Sequence, residues 1–162
     1  MATISVASAG TLHPANSGTR TPYRIERVIT VEELVAEKGS AIAAADVIEA
    51  ISVPAGSLVL AAGIYVETAL GGGTGSALTL DLGVTGGDVD VYTDGFDAHA
   101  AVAGAYSVIP VAACPIVFGA TDTLDVLIAT QTGTYTAGTL IVWAVLQDIA
   151  PAATPGLAVL KS

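Results

Sequence analysis

Four aspartates fall within ten residues, in the run DVDVYTDGFD that carries Asp88, Asp90, Asp94 and Asp97. Carboxylate oxygens crowded around a turn at Gly95 are the donors a hard cation takes, so the chemistry this spacing suggests is Ca²⁺ binding. The spacing is not that of an EF-hand loop, and no glutamate closes the run as a bidentate ligand. A solvated acidic turn that keeps a strand edge soluble is the plainer reading of the same residues. Ca²⁺ is therefore the single candidate in a chain for which we otherwise expect no cofactor.

Other constellations carry less. Asp122 and Asp125 are a second pair of close acids, but glycoside chemistry needs a cleft with aromatic platforms, and the chain has one Trp, two Phe and five Tyr. Cys114 with His99 or His13 supplies the residue types of a nucleophile and its base, yet the surrounding VAACPIVFG makes Cys114 a small apolar-run residue ahead of a proline. His99 has no second His or Cys at metal spacing. The run GGGTGS, residues 71–76, lacks the lysine of a phosphate-binding loop and is followed by a strand pattern instead of a helix, so we expect a flexible hairpin loop. No G-x-S-x-G is present. The expectation is a protein that is not an enzyme.

Composition narrows the partners. Of 162 residues, 52% are hydrophobic and only 12% charged, with a mean hydropathy of +0.71. So apolar a chain carries more uncharged surface than a soluble monomer usually shows, which points to surface covered by copies of itself or by another protein. Arg20, Arg24, Arg27 and Lys38 lie in the first quarter and Lys161 near the end, while residues 39 to 160 contain no Lys or Arg and eleven acids. With a net charge of −10, phosphate backbones and anionic lipid are repelled over most of the surface, so we expect neither nucleic acid nor membrane as partner. One cysteine fits folding in a reducing compartment. The opening MATISVASAGTLHP lacks the basic and continuous apolar regions of a secretion signal, and Ala98–Thr121, although apolar, is broken by Pro110, Pro115 and glycines, against a membrane helix.

The elements that would position these residues read as short strands. Residues 1–22 are rich in Ser, Thr, Gly and Pro and read as an extended N-terminal arm that stays mobile or docks on a neighbour. Tyr23 to Val35, YRIERVITVEELV, reads as a strand, with a short helical turn over Val31 to Lys38 as the alternative for its end. DVIEAISV and SLVLAAGIYVETAL, joined at Pro54-Ala55-Gly56, suggest a hairpin. In ALTLDLGV, Leu78, Leu80 and Leu82 alternate with Thr79 and Asp81 as a half-buried strand, and in the acidic run Val89, Val91 and Phe96 are expected to point inward. AHAAVAGAYSVIPVAA is ambiguous and has room for a short helix. PIVFG, TLDVLIATQTG and TLIVWAVLQDI complete the set. The last is apolar on both faces, as a strand inside a sandwich or at a subunit interface would be. Eight or so strands without long helices predict an all-β antiparallel sandwich or jelly roll over residues 23–149, with a Pro-broken tail at 150–162. Sheet edges are commonly guarded by lysine, and with none from residue 39 to 160 the edges must be short, bulged, guarded by Asp or covered by another subunit, the last being favoured.

From about residue 45 to 148 the chain resembles small structural proteins of tailed bacteriophages, the head decoration or cement proteins. The resemblance lies in DVIEAISVPAGSLVLAAGIYVETA, LTLDLG, DVDVYTDGFDA, and DTLDVLIAT followed by GTLIVWAVLQDI. It implies a virion component that folds in the host cytoplasm, assembles as a trimer and seats on the capsid surface, binding the major capsid protein and stabilising the shell. On that reading Arg20, Arg24 and Arg27 are candidate contacts with an acidic capsid surface or a neighbouring protomer, ordinary solvated charge being the alternative. A carbohydrate- or receptor-binding module of a phage tail or fibre, with the Asp88–Asp97 loop as its site, is the competing reading, and a hydrolase the third.

Overall fold

The computed structural model describes residues 1–8, 21–107 and 115–149. Among these the chain forms nine strands and one helix: β1 (Thr3–Ser8), β2 (Tyr23–Thr30), α1 (Val31–Lys38), β3 (Val47–Val53), β4 (Ser57–Gly71), β5 (Ala77–Gly83), β6 (Thr93–Asp97), β7 (Ile116–Phe118), β8 (Asp122–Thr132) and β9 (Ala137–Asp148). They make two facing sheets, one ordered β1-β3-β8-β5-β6 and the other β2-β9-β4-β7. The fold is an all-β sandwich, antiparallel throughout apart from the parallel pair β1·β3.

Alternation in sequence becomes two faces in space. Along β9 the inward set Leu140, Val142, Ala144 and Leu146 is buried while the residues between them are half-covered. They meet Leu78, Leu80 and Leu82 of β5 and Leu124, Val126 and Ile128 of β8 in a continuous core. α1 begins where the alternation stops: the Thr30 hydroxyl accepts from the Glu33 backbone N–H at 3.1 Å, and Gly39, at φ 72°, ends the helix with its N–H on the Val35 carbonyl. The helix buries Val31 and Leu34.

Connectivity departs from expectation at several places. The turn at Pro54-Ala55-Gly56 does not make a hairpin, because β3 lies in one sheet and β4 in the other. The same turn chemistry serves a crossing between sheets, where the apolar faces of both strands reach the core. GGGTGS is likewise a crossing, from β4 to β5, where Gly73 and Gly75 are there for space. A Cβ on Gly75 would stand 2.4 Å from the Tyr135 ring, which is buried over it with its hydroxyl 2.9 Å from His99 Nδ1. Burial, and after it the charge of Asp97, pushes the Tyr135 hydroxyl above its ordinary pKa. In the acidic run only Thr93–Asp97 is a strand; Tyr92 fills the core position, whereas Val89 is 37% exposed and Val91 and Phe96 are half-buried. Residues 98–107 form turns and an extended stretch along β4 in place of a helix, and residues 108–114, with Cys114, lie outside the described residues. No helix among the described residues is long and apolar enough to cross a membrane.

The N-terminal segment also differs. Thr3–Ser8, placed in the arm by their composition, are an edge strand of the five-stranded sheet, with Ile4 and Val6 in the core. Asp46 anchors them. Its buried carboxylate accepts from the Ala2 N–H at 3.0 Å and the Ala43 N–H at 2.9 Å and pairs with the Lys38 ammonium. Residues 9–20 lie outside the described residues, as do 150–162.

Candidate functional site

The sequence singles out two charged groups, and the structure treats them differently. Asp88 and Asp90 sit in the loop between β5 and β6, and Asp94 and Asp97 on β6. Asp97 accepts from the Ala100 N–H at 2.9 Å, and Asp81, from the neighbouring strand, accepts from the Gly95 N–H at 2.7 Å. These carboxylates hold turns. The Asp90 pKa is raised, first by its side-chain hydrogen bond with Asp88, then by partial desolvation and by the charges of Asp88 and Asp94. Among the described residues no group of three or more His, Cys, Asp or Glu side chains is arranged to hold a metal ion. The four aspartates make an acidic strip, not a cage.

Of the three arginines, Arg20 lies outside the described residues. Arg27 is committed within the fold: Nε donates to the Val6 carbonyl at 2.6 Å, Nη1 to the Val28 carbonyl at 2.9 Å, and Nη2 pairs with Glu33. It stitches β1, β2 and α1 together. Arg24 is at the surface, 3.0 Å from Glu26, and its guanidinium carbon lies 5.7 Å from the centre of the Trp143 ring.

Arg24 leads to a surface that the charge pattern alone does not reveal. On the outer face of the four-stranded sheet Val28 stands opposite Ile141, Ile141 opposite Tyr65, and Tyr65 opposite Tyr106. This apolar row crosses β2, β9 and β4 and ends on Tyr106, with the two tyrosine rings 4.7 Å apart. Val28 is 42% and Tyr106 65% exposed. The next row is Glu26, Trp143 and Gly63, and the next Arg24, Val145 and Ala61. Gly63 is required there, since a Cβ would come within 2.9 Å of the indole. The indole Nε1 is buried and meets no acceptor among the described residues. The apolar alternation of TLIVWAVLQDI on both faces signalled this side of β9, but the tyrosines and Val28 belong to other segments and only the register aligns them.

A second surface lies where the β5–β6 loop faces β7. A cavity of about 320 Å³ is lined there by Val84, Val91, Ile116, Phe118, Asp88 and Asp122, among others. Asp125, buried on β8, accepts from the Thr85 N–H at 3.0 Å and so fixes the loop that forms one wall. The pair Asp122 and Asp125, three residues apart on β8, is thus divided between cavity lining and loop support.

No family model matches the sequence, and no curated protein does. Solved structures do. A chain in the capsid asymmetric unit of cyanophage Pam1 matches with a TM-score of 0.58 at 15% identity, over 78% of this chain and 84% of its own. A chain in the capsid of Ralstonia phage GP4 matches with a TM-score of 0.60 at 18% identity, over 89% of this chain and 97% of its own. At such identities the likeness is one of fold.

Proposed function

We propose that this chain is a structural protein of a phage virion that binds the outside of the capsid and stabilises the shell. The observation that carries the reading is the sandwich itself, matched over most of the chain by chains from two phage capsids. Strand order supports it. Leaving β1 aside, four of the antiparallel pairs, β2·β9, β3·β8, β4·β7 and β5·β6, trace a ribbon folded at the β5–β6 loop, and the other two, β4·β9 and β5·β8, join neighbouring stretches of that ribbon within each sheet. We read this order as a jelly-roll winding, a form common in viral coat domains.

The chain works by contact. Its outer sheet face, with the row Val28, Ile141, Tyr65 and Tyr106, is the surface we assign to a second copy in a trimer, and the acidic body discourages nucleic acid and anionic membrane. The major capsid protein is the assigned partner, the capsid surface the location, and the host cytoplasm the place of folding. Purified chain mixed with shells stripped of it should co-sediment with them, and cryo-electron microscopy of the parent particle should place its density at repeated symmetry positions outside the shell. A strict monomer without affinity for shells would overturn the assignment.

A further inference from the structure

β7 is the last strand of its sheet, three residues long, and no described strand pairs with its outer edge. Its residues alternate in exposure, Phe118 at 6% and Ile116 half-buried against Val117 at 57%, and all three contribute to the cavity wall. A strand laid beside β7 would continue the sheet, and its every second side chain would enter the space walled by Val84, Val91, Ile116 and Phe118. Asp88 and Asp122, both exposed, complete that lining.

We propose that this edge is a docking site for an extended basic peptide segment, one that alternates apolar residues with Lys or Arg and adds to the sheet as a strand beside β7. Two features select the occupant. The cavity takes apolar side chains, since its walls are Val, Ile and Phe. The carboxylates beside it, in a body without Lys or Arg from residue 39 to 160, repel an acidic segment and attract a basic one. The acidic strip found where Ca²⁺ was expected thus acquires a partner of matching charge, spread along a strand instead of gathered at a point. This goes beyond shell stabilisation, because it names the chemistry of a segment that another protein must supply.

The test uses the full chain and a short fluorescent peptide of alternating valine and lysine, with a twin in which glutamate replaces lysine. Fluorescence anisotropy should show the lysine peptide binding about tenfold or more tightly than its twin, with affinity falling as salt rises. Gly119 also lines the cavity, and a side chain there would project into open space, so Gly119→Phe should fold with an unchanged melting temperature while abolishing binding. The double variant Asp88→Asn with Asp122→Asn should keep the site but lose most of the preference for lysine. Equal binding of both peptides, or undiminished binding to Gly119→Phe, would overturn the proposal. So would a wild-type chain that binds neither peptide, and if Gly119→Phe then also shifts the oligomeric state, the edge belongs to a contact between copies.

Discussion

At the scale of single residues the most consequential side chain is Asp46, which no motif marks. Burial by itself would raise its pKa, but the hydrogen bond from Lys38 and those from the Ala43 and Ala2 backbone N–H groups outweigh burial and hold it below the ordinary value. The folded carboxylate is therefore the weaker base of the two states. Its contribution to stability is complete above the ordinary carboxylate pKa of about 3.9 and is lost as pH falls through the lower folded value. Asp46→Asn should cost about 3 kcal/mol at pH 7, since it leaves the nearly buried Lys38 ammonium without its counter-charge, and should flatten the acid limb of the stability curve. Urea titrations of both proteins across the acid range would read this directly; a variant as acid-sensitive as the wild type would assign that limb to other groups. The aspartates of the β5–β6 region make the opposite point. They stood out in the sequence through spacing, but spacing along a chain does not make ligands converge, and here Asp97 and Asp81 are taken up by backbone N–H groups. Millimolar Ca²⁺ and chelator should accordingly give the same melting temperature, whereas a rise of several degrees in Ca²⁺ alone would show a bound ion.

At the scale of elements, β1 depends on contacts from three directions: pairing along β3, the Asp46 carboxylate at Ala2, and the Arg27 guanidinium at the Val6 carbonyl. Arg27→Ala removes the last of these together with the link to Glu33, and should cost about 2 kcal/mol. Hydrogen exchange should show the amides of Thr3–Ser8 losing protection while those of β8 keep theirs; uniform loss across the sandwich would mean that β1 and the core open as one unit. The same arrangement changes what a truncation can report. Removing residues 1–22 takes Ile4 and Val6 from the core and bares the edge of β3, so weakened shell binding by such a variant would measure lost structure as much as a lost anchor. The strands themselves were legible because alternation is written locally: Leu78, Leu80 and Leu82 are buried as expected, whereas at Val31 the sequence left strand and helical turn open and the structure takes the helix, α1. Pairing was not legible. A Pro-Ala-Gly turn bends the chain equally well within a sheet or between sheets, and the choice is made by distant partners such as β8, where Val53 meets Asp122 and Val47 meets Leu127. β1 had its own signal, Ile4 and Val6 alternating with Thr3 and Ser5, which the Ser, Thr, Gly and Pro content of the following residues obscured.

At the scale of the whole molecule two forces act on association, and they oppose each other. Copies carrying a net charge of −10 repel, while the outer face of the four-stranded sheet presents Val28, Ile141, Tyr65 and Tyr106 in one apolar row. If the proposed trimer is joined through that face, its stability comes from apolar burial against a background of repulsion, and salt must strengthen it by screening the charges. Sedimentation equilibrium between about 0.02 M and 0.2 M salt, over which the Debye length shrinks severalfold, should show association tightening. An ion-pair contact built on Arg24 predicts the reverse, so the sign of the salt dependence separates the arginine reading from the apolar one. Position 28 then tests the face itself. Val28 is already 42% exposed on β2, so Val28→Asp costs the folded monomer little, yet it places a desolvated carboxylate in the contact and should weaken association by about two orders of magnitude, a penalty of a few kcal/mol. A Val28→Asp protein that sediments as the wild type does would move the contact to another face of the sandwich.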